Sequence, residues 1–200
     1  MHHLSNYRHV MVDMETLDVG NSPVCFSLSA VTFYIEKKMS RNELLRVDNT
    51  FHTAIDIDSQ IKNGLTVRNG ALLFNIKNNN DFLEKCLSGC GISLLNPYDA
   101  LVNFQKYIKE INNTNVKNTK TLVWANGAIS DHVWLDSLYS KYELENPIPY
   151  SDRMCFRTMR KSFPDAFTLY SNDHDSLKDA ANQAISMMNA YSFVTGNKNE

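Results

Sequence analysis

Two apolar runs near the N-terminus predict a β-hairpin. The first covers residues 9–14 and ends in acidic residues, and the second covers residues 25–35 and is rich in Val and Phe. The Gly-Asn-Ser-Pro segment at residues 20–23 lies between them and has turn chemistry. Partial alternation over residues 47–55 predicts a third strand. Residues 56–80 mix polar and apolar positions without a clear period.

Helical periodicity is clearer in the C-terminal half. Apolar residues at helical spacing behind Pro97 predict an amphipathic helix: Leu101, Phe104, Ile108 and Ile111. Residues 121–125 then predict a buried strand that stops at Asn126 and Gly127, with a helix behind it. A short helix is expected over residues 154–161 and a long one over residues 177–193. Strands come early and helices late, with one strand returning between helices, and this order predicts an α/β domain with a mixed sheet.

Length and composition favour one domain over residues 1–200. The chain has 200 residues, of which 43% are hydrophobic, and this is enough to bury a sizeable core. The longest uncharged stretch falls short of the roughly 20 apolar residues that a bilayer span needs, so no membrane partner is expected. The N-terminus lacks the apolar core of a signal peptide, and the four scattered cysteines favour reduced thiols. We therefore expect a cytoplasmic protein.

The net charge of −2 excludes one way of holding nucleic acid. Proteins that bind nucleic acid through a broad cationic face are usually strongly basic. If the substrate is a polyanion, contact must be local, through bound cations and a few Arg or Lys side chains.

The first chemical signal is the pair Asp13 and Glu15 at the end of the first strand. Positions two apart in an extended chain point to the same face, so both carboxylates can converge on one cation. Oxygen ligands of this kind suit hard divalent ions. The alternative for an isolated pair is a strand edge with solvated acids.

Two further acids begin helices. Asp131 follows Asn126 and Gly127, and it also fits a first-turn acid that offsets the helix dipole. His174 and Asp179 open the last helix, but five helical residues differ by about 140° in direction, so His174 must lie in the preceding loop. From there it can share a point with Asp179, as a base beside a metal ligand. The alternative is a surface helix capped by Asp173 or Asp175.

Together, these signals carry a family resemblance. The order Asp-x-Glu, Asp, His-x-x-x-x-Asp resembles the DEDDh subgroup of the DEDD 3′-5′ exonuclease superfamily, most closely over residues 9–16, 122–139 and 151–184. The spacing and the Trp-x-Asn-Gly segment at residues 124–127 resemble a phage and bacterial branch near ribonuclease T, exonuclease VIII and ribonuclease AS-like proteins. The resemblance implies a ribonuclease H-like fold with a mixed five-stranded sheet flanked by helices.

The resemblance also implies a metal-dependent hydrolase. Two divalent ions, Mg²⁺ or Mn²⁺, would be held by four acids, with His174 as general base: Asp13, Glu15, Asp131 and Asp179. Five further residues would contact the nucleic acid 3′ end: Met14, Thr16, Asn126, Arg153 and Arg157. For Arg153 and Arg157 a salt-bridging helix face is an equal alternative. Two adjacent Trp residues common in the branch are missing after Thr66 and Val67, which points to altered base stacking.

Several properties stay open at the level of sequence. A contact to the 2′ hydroxyl, which separates RNA from DNA, has no signature in the chain. Single-stranded substrate is favoured because there is no broad basic track for a duplex. A homodimer is possible. The rival functions are an inactive nucleic-acid-binding or protein-interaction module on the same fold, and an α/β domain whose acids match by chance.

Overall fold

The computed structural model describes residues 2–113, 120–127, 130–167 and 173–196. Within these residues a six-stranded mixed sheet has the order β4-β3-β2-β1-β5-β6. The strands are β1 Arg8–Thr16, β2 Cys25–Phe33, β3 Thr50–Ile55, β4 Leu94–Leu95, β5 Thr121–Ala125 and β6 Arg153–Cys155. The pairs β1/β2 and β2/β3 are antiparallel, and the pairs β1/β5, β3/β4 and β5/β6 are parallel.

Helices flank this sheet. The α-helices are α1 Arg41–Leu44, α2 Ile57–Lys62, α3 Asn69–Asn78, α4 Asn80–Ser88, α5 Pro97–Asn113, α6 Asp131–Lys141, α7 Phe156–Ser162 and α8 Ser176–Thr195. Short 3₁₀ helices cover His2–Asn6, Val47–Asn49, Tyr150–Asp152 and Pro164–Ala166. The α/β class and the mixed sheet are therefore confirmed. Among the described helices, none has the length and apolar character needed to cross a bilayer.

The expected count of five strands is wrong, because the described sheet has six. Strand β4 is only two residues long and pairs with Ala54 and Ile55 of β3. So short a strand leaves no alternation in the sequence. The helix expected over residues 154–161 begins later, at Phe156, because residues 154 and 155 belong to strand β6. Cys155 caps this helix, and its sulfur accepts a hydrogen bond from the backbone N–H of Thr158. The strand length here is set by pairing with β5, which a local pattern does not report.

The predicted hairpin is confirmed, with β1 and β2 in antiparallel register. The third strand starts at Thr50, later than expected, because Val47–Asn49 forms a 3₁₀ turn. The region without a clear period contains α2 and α3. Its pattern is obscured because Leu73, Phe74 and Ile76 of α3 are exposed.

Strand β1 lies at the centre of the sheet and divides the core in two. Val10, Val12 and Met14 belong to an apolar cluster on one face, which also contains residues of α5 and α6. Met11 belongs to a second cluster that contains residues of α8. Because successive strand residues alternate between faces, Asp13 and Glu15 share the face of Met11 and lie towards α8. The sheet thereby directs both carboxylates at the start of that helix.

Candidate active site

Three carboxylates converge where β1 meets α8. One carboxylate oxygen from each of Asp13, Glu15 and Asp179 lies within 4.8 Å of the others. Asp179 lies in the first turn of α8, and its relative exposure of 2% compares with 9% for Asp13 and for Glu15. The period of the strand and the position of the helix start together bring these acids to one point.

Asp131 reaches the same region from α6. It lies in the first turn of that helix, and its Oδ1 accepts a hydrogen bond of 3.2 Å from the backbone N–H of Met14, next to Asp13. The contact joins the start of α6 to the end of β1 across 117 positions of the chain. All four acids singled out from the sequence are therefore near neighbours. Among the described residues, the group whose carboxylate oxygens all lie within 4.8 Å of one another consists of Asp13, Glu15 and Asp179 and does not include Asp131.

Burial raises the pKa values of all four acids, and the charges of neighbouring carboxylates in the cluster raise those of Asp13 and Glu15 further. Burial, followed by the charges of Asp131, Glu15 and Asp179, raises the pKa of Asp13 well above its usual range. Burial, followed by the charges of Asp179 and Asp131, raises the pKa of Glu15 to about 8. Burial also raises the pKa of Asp131 to about 6 and raises the pKa of Asp179. Like charges at short range raise each other's pKa until protons or cations compensate, so this cluster has the electrostatics of a cation site.

Gln183 is a neighbour of the cluster that sequence reasoning missed. It is fully buried one turn after Asp179 on α8, and its Nε2 donates a hydrogen bond of 2.7 Å to Oδ1 of Asp13. The only available signal was its spacing of four from Asp179, which places both residues on one face of the helix. Gln183 therefore holds one oxygen of Asp13 in a fixed direction.

His174 lies in the loop before α8, as predicted. Its backbone N–H donates to Oδ2 of Asp179 at 3.0 Å, and the N–H of Asp173 donates to Oδ1 at 2.6 Å. Its φ of 53° is in the left-handed region, which few residues other than Gly adopt. The ring packs edge-on against Phe74 at 4.9 Å between centroids. Asp175 caps α8, as the alternative had it, but α8 is not a surface helix because twelve of its residues are buried.

The acids and His174 open into one cavity of about 600 Å³, a size suited to a small ligand. Four of the five residues expected to contact substrate line it: Met14, Thr16, Asn126 and Arg157. Arg153 is not among its lining residues. It forms an ion pair with Asp136 and donates to the carbonyl of Ile148. The ion pair agrees with the salt-bridging alternative, although Arg153 lies in strand β6 and not on a helix face.

Part of the cavity wall lies outside the five residues that were expected to contact substrate, although the segment after Thr66 and Val67 was linked to base stacking. This part comes from the β1–β2 turn, from α3 and α6 and from the residues that precede these two helices: Val19, Arg68, Gly70, Ala71, Phe74, Asn75, Ser130 and Trp134. Five of them lie within residues 56–80, the region without a clear sequence period. No spacing rule connects that region to the acids.

The fold is similar to that of known DEDDh exonucleases. Among solved structures, the nuclease domain of 3'hExo, a DEDDh family member bound to rAMP, matches with a TM-score of 0.55 and 12% identity over 94% of this chain and 92% of that chain. Exonuclease I matches with a TM-score of 0.60 and 11% identity over 96% of this chain and 44% of that chain. A zinc-bound complex of E. coli ExoI with ssDNA matches with a TM-score of 0.58 and 13% identity over 96% of this chain and 41% of that chain. The chain thus spans less than half of the exonuclease I chains.

The family model for the 3'-5' exoribonuclease Rv2179c-like domain matches residues 8–191. The chain belongs to this family, and it is a 3′-5′ exonuclease. No curated protein matches the sequence significantly. The predicted resemblance to DEDDh exonucleases is confirmed.

Proposed function

We propose that this protein removes nucleotides from the 3′ end of single-stranded RNA by hydrolysis that depends on two divalent cations, Mg²⁺ or Mn²⁺. The observation that carries the proposal is the convergence of Asp13, Glu15 and Asp179, with Asp131 beside them. The family description supports RNA as the polymer. The ssDNA complex of ExoI supports an unpaired strand.

The donor set fits the proposed ions. Carboxylate oxygens are the ligands that Mg²⁺ and Mn²⁺ prefer. Burial and then the charges of neighbouring carboxylates raise the pKa values of Asp13 and Glu15, and two cations would offset both effects. Asp13, Glu15, Asp131 and Asp179 would hold them. When bound, such a pair supplies Lewis-acid stabilisation of phosphate oxygens and a more acidic water.

The remaining steps belong to protein side chains. His174 lines the cavity beside Asp179 and is positioned to take a proton from the attacking water. Arg157 lies close enough to lower the pKa of Asp131 by its charge, so it can also face a phosphate oxygen. Met14, Thr16 and Asn126 line the space available to the terminal nucleotide.

A nuclease assay tests the proposal. Labelled single-stranded RNA, single-stranded DNA and blunt duplex RNA are offered with Mg²⁺, Mn²⁺ or EDTA. The expected result is stepwise shortening of single-stranded RNA from the 3′ end, abolished by EDTA and by Asp179→Asn, while the exposed control Asp165→Asn keeps full activity. Wild-type activity in Asp179→Asn or in EDTA would refute the mechanism. Preference for DNA or duplex would refute the substrate assignment.

A further inference from the structure

Arg68 is a cation in the cavity wall that the proposed reaction does not yet use. It is the residue before α3, and it lines the same cavity as the four acids. Its side chain is 66% exposed, so its guanidinium keeps solvent-facing donors. Arg68 and Arg157 are the two Arg or Lys residues among the described residues that line this cavity.

The direction of Arg68 is set by a buried carboxylate. Its Nε lies 3.0 Å from Oδ1 of Asp18, whose side chain is 3% exposed. The same oxygen accepts hydrogen bonds from the backbone N–H groups of Val19 and Gly20 at 2.7 and 3.1 Å. Oδ2 accepts from the Thr66 hydroxyl at 2.6 Å. Asp18 is fixed by three other donors, so it anchors Arg68 at its inner nitrogen. The outer nitrogens take no part in this ion pair, and Arg68 is one of the residues that line the cavity.

The position of this anchor relates Arg68 to a particular part of the substrate. Asp18 follows Glu15 by three residues, a span of at most about 10 Å of extended chain. The acids and their cations would contact the scissile phosphate, so a cation anchored within that reach can contact the adjacent phosphate of the strand. When the terminal nucleotide is the one removed, the other backbone phosphates all lie upstream. With a net charge of −2 the protein is not strongly basic, so each cation beside the acids should contribute appreciably to binding of a polyanion.

We propose that Arg68 binds a backbone phosphate upstream of the scissile bond and thereby sets the preference for oligonucleotides over single phosphodiesters. This rests on the proposed function, because it assumes that the acids engage the scissile phosphate. An Arg guanidinium suits this role, since its planar fork matches two phosphate oxygens.

The test compares Arg68→Gln with two substrates. A ribodinucleoside monophosphate has the scissile phosphate alone, whereas a single-stranded RNA of ten nucleotides also has upstream phosphates. The matched control is Lys77→Gln, which removes an exposed cation from α3, the helix that Arg68 precedes, at a position that does not line the cavity. Arg68→Lys tests whether a point charge replaces the fork. The measured quantities are kcat, KM and the dependence of kcat/KM on salt.

For Arg68→Gln, KM for the ten-nucleotide RNA should rise about tenfold with kcat nearly unchanged, and kcat/KM for the dinucleotide should stay within about twofold. The slope of log kcat/KM against log salt should become shallower by about 0.7, the contribution of one single-strand phosphate contact. Lys77→Gln should change neither value. Equal losses on both substrates, or no loss on either, would overturn the proposal. If the wild-type protein cleaves neither substrate with Mg²⁺ or Mn²⁺, the proposed function fails instead.

Discussion

The contact between Gln183 and Asp13 gives a prediction that separates stability from metal binding. Gln183→Met keeps the length of the side chain and removes its amide. Loss of the 2.7 Å hydrogen bond to a carboxylate costs about 1.5–3 kcal/mol. The variant also removes the Gln183 Oε1, a buried acceptor without a hydrogen-bond partner among the described residues, and this recovers about 1–3 kcal/mol.

The two effects largely cancel, so the free energy of unfolding in EDTA should change by no more than about 2 kcal/mol. Metal binding has no such compensation, because Asp13 loses the contact that fixes one of its oxygens. Residues that orient metal ligands typically contribute about 10–100-fold in affinity, so the Mn²⁺ dissociation constant should rise by that factor.

The assays are urea unfolding in EDTA and calorimetric titration with Mn²⁺. Met188→Leu, a buried change in the apolar cluster along the same helix, is the control and should leave the Mn²⁺ affinity unchanged. A Gln183→Met protein that binds Mn²⁺ within twofold of wild type would refute this reasoning. So would a stability loss above about 3 kcal/mol, which would make Gln183 a structural support.

Three further predictions concern individual residues. Because the pKa of Glu15 is raised from 4.5 to about 8, the unfolded state releases this proton first as the pH rises, and the metal-free protein should lose stability between about pH 5 and pH 8. Glu15→Gln cannot ionise, so its melting temperature in EDTA should vary less over that range; an unchanged pH profile would contradict the electrostatics. His174→Ala should lower kcat about 10²–10⁴-fold and still bind Mn²⁺, as measured by single-turnover cleavage and calorimetry, and near-normal turnover would exclude it as the base. Arg153→Met should lower the free energy of unfolding by about 1–2 kcal/mol, because the hydrogen bonds from Arg153 to the Ile148 carbonyl are lost. Its kcat/KM should be almost unchanged, and a selective rise in KM would instead assign Arg153 to substrate binding.

The parts of the site that sequence predicts well depend on local periods. Asp13 and Glu15 point the same way because the strand has a period of two, and the apolar run that defines the strand is long enough to recognise. His174 was correctly placed outside α8, because the helical angle to Asp179 excludes a shared face. The meeting of these elements came from the family resemblance, since no local rule brings Asp131 to Met14 across the chain.

The parts that sequence missed depend on tertiary contacts. Helix α3 presents Leu73 and Phe74 to solvent, so its pattern does not resemble an amphipathic helix, and its residues in the cavity wall were not recognised. Gln183 has no chemical signature until Asp13 is known to lie 2.7 Å away. Strand β4 exists only through its pairing with β3. Each of these features is fixed by a neighbour that is distant in sequence.

The most direct measurement is anomalous diffraction from crystals soaked in Mn²⁺. Two peaks about 4 Å apart, contacted by carboxylates of Asp13, Glu15, Asp131 and Asp179, are the predicted result. Absence of manganese between these side chains, or an Asp131 or Asp179 carboxylate directed away from Asp13, would contradict the account.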